Sequence, residues 1–391
     1  MFSRTVTYFL LIFLMMISCR KPYDPPEIKN GNHFLAVDGF IYTGTGVTSM
    51  ITLSRSVNLD ESGLHIPELN AQVAIQSSGG NSYNLIDSSG EGIYISSALT
   101  LDSIHQYQLA ITTSDGNKYL SDFVSTKEAP PIDSLSWELA NDPVTGLQAA
   151  YIFVNAHDPT NATRYYRWDF LGTYKHLSAF STNWGESNGM VYPLPAGYSI
   201  SACWSTFPSA DILLGSTIAL SQDVISHMQV ADIQQNDPIL DVGCSFLIRQ
   251  YPLTQQGYDY WLTVEQNSQS LGGLFDLQPA QVTGNLHCIT NPANPVLGFI
   301  SASNVQEKRI YISNKTLPGW QSQHLDTANA CKTVDLRVDP LNTLVYNYPD
   351  TAYGPYYFPD ATDLIVAPKS CLDCRYQGGV NIKPSFWPLI D

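Results

Sequence analysis

This sequence is poor in charge. Only 14% of its 391 residues are Asp, Glu, Lys or Arg, and the 19 Lys and Arg face 35 Asp and Glu for a net of −16. A chain so poor in cations repels nucleic acid and anionic lipid head groups, which excludes nucleic-acid binding and a polybasic mode of membrane attachment. Catalytic signatures are missing as well: there is no nucleophile elbow, zinc-protease helix, Walker loop or dinucleotide fingerprint. The eight histidines show no paired metal spacing, so neither metal nor cofactor is expected. No cysteine lies between Cys19 and Cys203, so the first half of the body folds without staples. Beyond residue 19 no apolar run approaches the ~20 residues that span a bilayer.

The first residues carry an export signal. Arg4 supplies a positive start, and Val6 to Ile17 is an uncharged apolar core of signal-peptide length. Met16-Ile17-Ser18-Cys19 resembles a lipobox, with Met16 where Leu is usual. These residues predict a signal peptide over 1–18, cleavage before Cys19 and lipid on that cysteine. Arg20 to Gly31 holds Pro22, Pro25 and Pro26 without a hydrophobic period, so 19–32 reads as a lipidated tether.

What the chain has in abundance is β pattern and aromatic rings, with 23 Tyr. From 33 to 128, apolar residues alternate in short runs: Leu35, Val37 and Ile41; Ile51 and Leu53; Val73 and Ile75; Tyr107, Leu109 and Ile111. Gly79-Gly80, Ser89-Gly90 and Asp115-Gly116 mark the turns between them. The expectation is an N-terminal Ig-like or transthyretin-like antiparallel sandwich of about seven strands. Lys127 to Asp133, with Pro130-Pro131, marks a boundary. Residues 129–391 then predict a larger β-rich domain with one or two short helices, over Thr254–Ser270 with Thr254 as N-cap and near Ser221–Ile233. The whole chain is mainly β.

Six cysteines follow residue 200: Cys203, Cys244, Cys288, Cys331, Cys371 and Cys374. An even number in an exported chain predicts disulfides, with no free thiol and 15 possible connectivities. Cys371-Leu-Asp-Cys374 could close locally, or each sulfur could reach a distant partner; redox catalysis and zinc are the weaker alternatives. Ten rings between Tyr165 and Trp204 read mainly as core. The Pro-interrupted run holding Tyr353, Tyr356, Tyr357 and Phe358 is the candidate interface, since exposed rings in loops anchor partners or stack on sugars.

Several stretches together resemble one family of Bacteroidetes lipoproteins, catalogued as domain of unknown function 4249. They are Leu35-Ala-Val-Asp-Gly-Phe-Ile41, Tyr165-Tyr-Arg-Trp168, Cys203-Trp204, Arg249-Gln-Tyr-Pro-Leu253, Tyr258-Asp-Tyr-Trp261 and Gly273-Leu-Phe-Asp-Leu-Gln-Pro279. Gly284-Asn285, Val296-Leu-Gly298, Cys371 to Arg375, Gly378-Gly379 and Lys383-Pro-Ser-Phe-Trp387 continue the series. The resemblance implies an outer-membrane lipoprotein, facing the cell surface, that partners a TonB-dependent receptor. The expected function is thus a non-enzymatic binding or accessory subunit of nutrient uptake. A surface glycan or peptide hydrolase is the alternative, because a carboxylate pair can lie far apart in sequence.

Overall fold

The alternation of apolar residues becomes strand in a computed structural model that describes residues 33–57, 65–187, 190–235, 237–269, 282–320, 331–337, 352–359 and 363–388. Cys19, the signal peptide and the tether lie outside the described residues. The fold is mainly β. Because successive strand residues face opposite ways, Leu35, Val37, Ile51, Leu53, Val73, Ile75, Leu109 and Ile111 all reach one core. Asp115-Gly116 forms the expected hairpin between Gln106–Thr112 and Lys118–Ser121. The Asp115 carboxylate accepts from the Thr113 hydroxyl at 2.5 Å and the Asn117 amide at 3.1 Å, and Gly116 takes the left-handed φ of +85° that the turn needs.

The pairings of this first sheet close a circuit. Leu35–Tyr42, Met50–Arg55, Ile93–Ser96, Ser82–Asp87, Gln72–Ser77, Gln106–Thr112, Val124–Lys127 and Ser301–Ser303 each hydrogen-bond to the next, and the last returns to the first. Closure removes exposed edges, which would otherwise offer unpaired backbone groups to other chains. Its closing strand comes from far along the chain and runs parallel to both neighbours. Leu286–Cys288 and Val296–Leu297 join the same sheet, and Leu286, Cys288, Val296, Ile300 and Ala302 complete its core. The boundary drawn from sequence therefore needs correction: residues 286–303, expected in the second domain, belong to the first. Strands of two or three residues are too short to show a period.

The second body pairs two sheets. One is Ile132–Asn141, Gln148–Asp158 and Asp223–Gln234; the other is built on Tyr165–Leu177, flanked by Ala202–Pro208, Leu213–Ser216 and Gly243–Pro252, with Gln306–Ser313 outermost. Ile152, Val154, Tyr166, Trp168, Phe246, Ile248 and Ile312 share their core. The buried Trp168 indole donates to Gln250 Oε1 at 2.9 Å, and the Gln250 amide donates to the Pro130 carbonyl at 2.8 Å, fixing the interdomain linker to this core.

The Gln255–Gln269 helix lies where expected, with Thr254 Oγ1 accepting from the Gly257 amide at 3.1 Å. The second expected helix is a strand, Asp223–Gln234. Register shifts against Gln148–Asp158 and a positive φ at His227 break its alternation, so Ile225, Val230, Ala231 and Ile233 are buried at a spacing that imitates a helical face. A third, small sheet of Val334–Arg337, Asp363–Pro368 and Tyr353–Tyr357 is centred on Leu364 and Val366.

Candidate functional site

Two disulfides hold the C-terminal segment. Cys331 bonds Cys371, and Cys203 bonds Cys374, so the two cysteines of the close-spaced motif take different partners. Cys244 and Cys288 depart from the expectation of six paired sulfurs: both are free thiols. Each is buried in a different core, Cys244 in the second body and Cys288 in the first, which keeps them apart. Burial also pushes the Cys244 thiol well above its ordinary range, leaving it inert.

Around the Cys203–Cys374 bond the packing is close. Trp204 and Val380 exchange backbone hydrogen bonds at 2.9 and 3.0 Å. Gly378 caps the Cys374–Gln377 turn in a left-handed conformation, and a Cβ on Gly379 would come within 2.4 Å of His176 Nε2 and 2.5 Å of Cys203 Cβ. This accounts for the Gly378-Gly379 pair. His176 lies buried beside Ser205 and Gln377, and desolvation depresses its pKa against a smaller opposing effect of Gln377.

Between this stapled segment and the Trp184–Ser187/Met190–Pro193 hairpin lies a cavity of about 200 Å³. The hairpin is tied to the third sheet by the Thr182 hydroxyl, which sits 2.9 Å from the Pro355 carbonyl and 2.8 Å from that of Tyr356. Its lining includes four aromatic rings, Trp184, Tyr192, Tyr198 and Tyr376. Tyr192 crosses the hairpin over Gly185, where any Cβ would meet its ring at 2.7 Å. The polar lining is paired. Lys369 Nζ donates to Glu186 Oε2 at 3.0 Å, and the Arg375 guanidinium grips Asp373 through Nε at 2.9 Å and Nη2 at 2.5 Å. That hydrogen bonding from Asp373 raises the Arg375 pKa, against a smaller desolvation effect. Two carboxylates and two cations leave the lining without net charge. Other hollows, about 400 Å³ beside Arg55 and about 550 Å³ beside Leu286, lie next to positions outside the described set. Among the described residues, no group of three or more His, Cys, Asp or Glu is placed to hold a metal, and no helix is long and apolar enough to cross a membrane.

The ring clusters divide differently from expectation. Tyr166 and Trp168 are core, with Phe170 and Tyr174 packed on it, but Trp184, Tyr192 and Tyr198 line the cavity. In the expected interface, Tyr353 and Phe358 pack against Leu364 and Val366, and Tyr356 stacks on Phe180 with centroids 4.8 Å apart. Of the four, Tyr357 is the exposed one, at 46%. The run is a strand rather than a loop, paired with Asp363–Pro368, and Tyr353 packs on that sheet's core. Asp373 and Arg375 sit inside the Cys371-to-Arg375 motif and could have been read there. Glu186 and Lys369, 183 residues apart, left no sequence signal.

A search of curated proteins finds no relative. Among solved structures, a trypsin-activated alpha-2-macroglobulin from Escherichia coli matches at 13% identity and a TM-score of 0.19, over 58% of this chain and 15% of that one. A Salmonella alpha-2-macroglobulin mutant matches at 12% identity and a TM-score of 0.19, over 58% of this chain and 14% of that one. This chain thus spans about a seventh of those proteins, and likeness at that level bears on neither fold nor function. A family model, by contrast, matches residues 20–309, the tether and both large β-bodies, and stops short of the disulfide-stapled end. The chain belongs to the family described as domain of unknown function (DUF4249).

Proposed function

We propose that this chain is a non-enzymatic binding lipoprotein, held at the outer membrane by lipid on Cys19 and serving a TonB-dependent nutrient transporter as an accessory subunit. The observation that carries binding over catalysis is the cavity's paired lining. Glu186 and Asp373 are engaged by Lys369 and Arg375, while Tyr192, Tyr198 and Tyr376 stay exposed to solvent. A glycoside hydrolase needs one carboxyl to donate a proton and another to act as nucleophile or base toward substrate. Carboxylates occupied by cations are suited instead to orienting a ligand. A hydrolase remains the second reading because two carboxylates do line one cavity.

The membrane and transporter parts of the proposal rest on the lipobox-like residues and the family resemblance. Tyr357, exposed beside the third sheet, is the contact candidate that survives from the original four. Affinity purification from gently solubilised native membranes is expected to recover an outer-membrane transporter with the protein. Cys19→Ala should leave the chain in the soluble fraction or as an unprocessed precursor. A wild-type chain that purifies alone, with no transporter cross-linked to it in cells, refutes the accessory role.

A further inference from the structure

We infer that the stapled cavity is a carbohydrate subsite, taking one ring of a neutral sugar. The inference rests on the binding reading above and names its ligand class. Three observations converge. First, charge: each cation in the lining already has its carboxylate, so a charged ligand would have to break an ion pair, whereas a neutral one meets intact donors and acceptors. Second, rings: Tyr192, Tyr198 and Tyr376 are 44%, 45% and 62% exposed, while the four charged groups of the lining are held in ion pairs. A flat ring face left in water beside fixed hydrogen-bonding groups suits a ligand with one C–H face and hydroxyls on its rim. Third, size: the cavity of about 200 Å³ is below the roughly 300–1,000 Å³ that encloses drug-sized ligands, so it accepts one ring and leaves the remainder of a chain outside.

The way Tyr192 is placed supports a built surface rather than loose packing. Gly185, opposite it in the hairpin, has no Cβ, and only that absence lets the ring lie across the strand toward the cavity. Tyr376 is equally fixed, since the Cys203–Cys374 bond and the Asp373–Arg375 fork lock the turn that carries it. An ordered aromatic face loses little side-chain freedom on binding.

The test uses the full mature chain on a glycan array carrying neutral hexose, pentose and N-acetylhexosamine oligomers alongside acidic glycans, followed by calorimetry with each neutral oligomer bound. Binding to neutral features is expected. Tyr192→Ala and Tyr376→Ala should each weaken it about tenfold, and Gly185→Ala should weaken it by displacing the Tyr192 ring while removing no group that touches the sugar. Tyr357→Ala, outside the cavity, should leave affinity unchanged, and circular dichroism identifies any variant that misfolds. No bound neutral feature, a preference for acidic glycans, or neutral binding indifferent to both tyrosine variants and to Gly185→Ala would overturn the inference. Transporter recovery is scored on separate samples: a recovered transporter with an empty array sinks the sugar alone, and sugar binding without a transporter sinks the accessory role alone.

Discussion

Removing the long staple should cost the protein more than removing the short one. Cys203 and Cys374 are separated by 171 residues, Cys331 and Cys371 by 40. With stabilisation taken as the loop-closure entropy removed from the unfolded chain, the first bond contributes about 5 kcal/mol and the second about 4. Per kcal/mol a domain of this size shifts its midpoint by roughly 2–4 °C, so Cys203→Ser/Cys374→Ser should lower the melting temperature by about 10–20 °C and Cys331→Ser/Cys371→Ser by about 8–16 °C. The losses should not add in a quadruple variant, because both bonds fix one short segment and the second closure acts on a chain already restrained. Tryptophan fluorescence follows the transition well, since Trp184, Trp204 and Trp387 all lie near the stapled end. Thiol labelling of the denatured, unreduced mature protein supplies the companion count: two labelled cysteines, Cys244 and Cys288. A midpoint that moves by only a degree or two on loss of Cys203–Cys374, or a peptide map that places Cys244 or Cys288 in a disulfide, refutes the reasoning.

Two other outcomes follow from side-chain placement. Replacing Tyr353 and Tyr356 together by Ala should lower thermal stability by about 2–4 kcal/mol, because their rings pack on Leu364, Val366 and Phe180; Tyr357→Ala should shift it by less than about 0.5 kcal/mol. Calorimetry on the two variants distinguishes this from a pure interface role, in which the double variant melts like the wild type. Acidification should loosen the stapled end through His176. Burial holds its folded pKa below the unfolded value of about 6.5, so the unfolded state binds the extra proton first. The stability it contributes is complete above about pH 6.5 and declines as pH falls through the window between the two values. The protection of the Val380 amide, taken relative to intrinsic exchange at each pH, should fall from pH 7 to 5, and His176→Gln should flatten that dependence.

The residues that alternate cleanly were legible in sequence. Leu35, Val37, Ile51, Leu53, Val73 and Ile75 announced a core because strand periodicity is local, and Asp115-Gly116 announced its hairpin because the turn chemistry is contained in four residues. Thr254 likewise marked a helix start through a bond only three residues long. The family was legible too, from short motifs in order. What failed locally was Asp223–Gln234, where bulges imposed by its partner strand rewrote the period.

Apart from Asp373 and Arg375, which sit inside a sequence motif, the candidate site was decided by tertiary structure. Trp184, Tyr192 and Tyr198 read like their core neighbours Tyr166 and Trp168, since an aromatic residue carries the same pattern whether it ends inside a sandwich or beside a cavity. Tyr353, Tyr356 and Phe358 looked exposed in a proline-broken run, but Tyr353 and Phe358 pack on Leu364 and Val366 and Tyr356 stacks on Phe180. Even parity of the cysteine count could not choose among pairings, because a thiol's partner is whichever sulfur the fold brings within bonding distance. The Glu186–Lys369 pair and the closure of the first sheet by Ser301–Ser303 have the same cause: contacts between residues a hundred or more positions apart are set by how surfaces fit, and no local pattern records that fit.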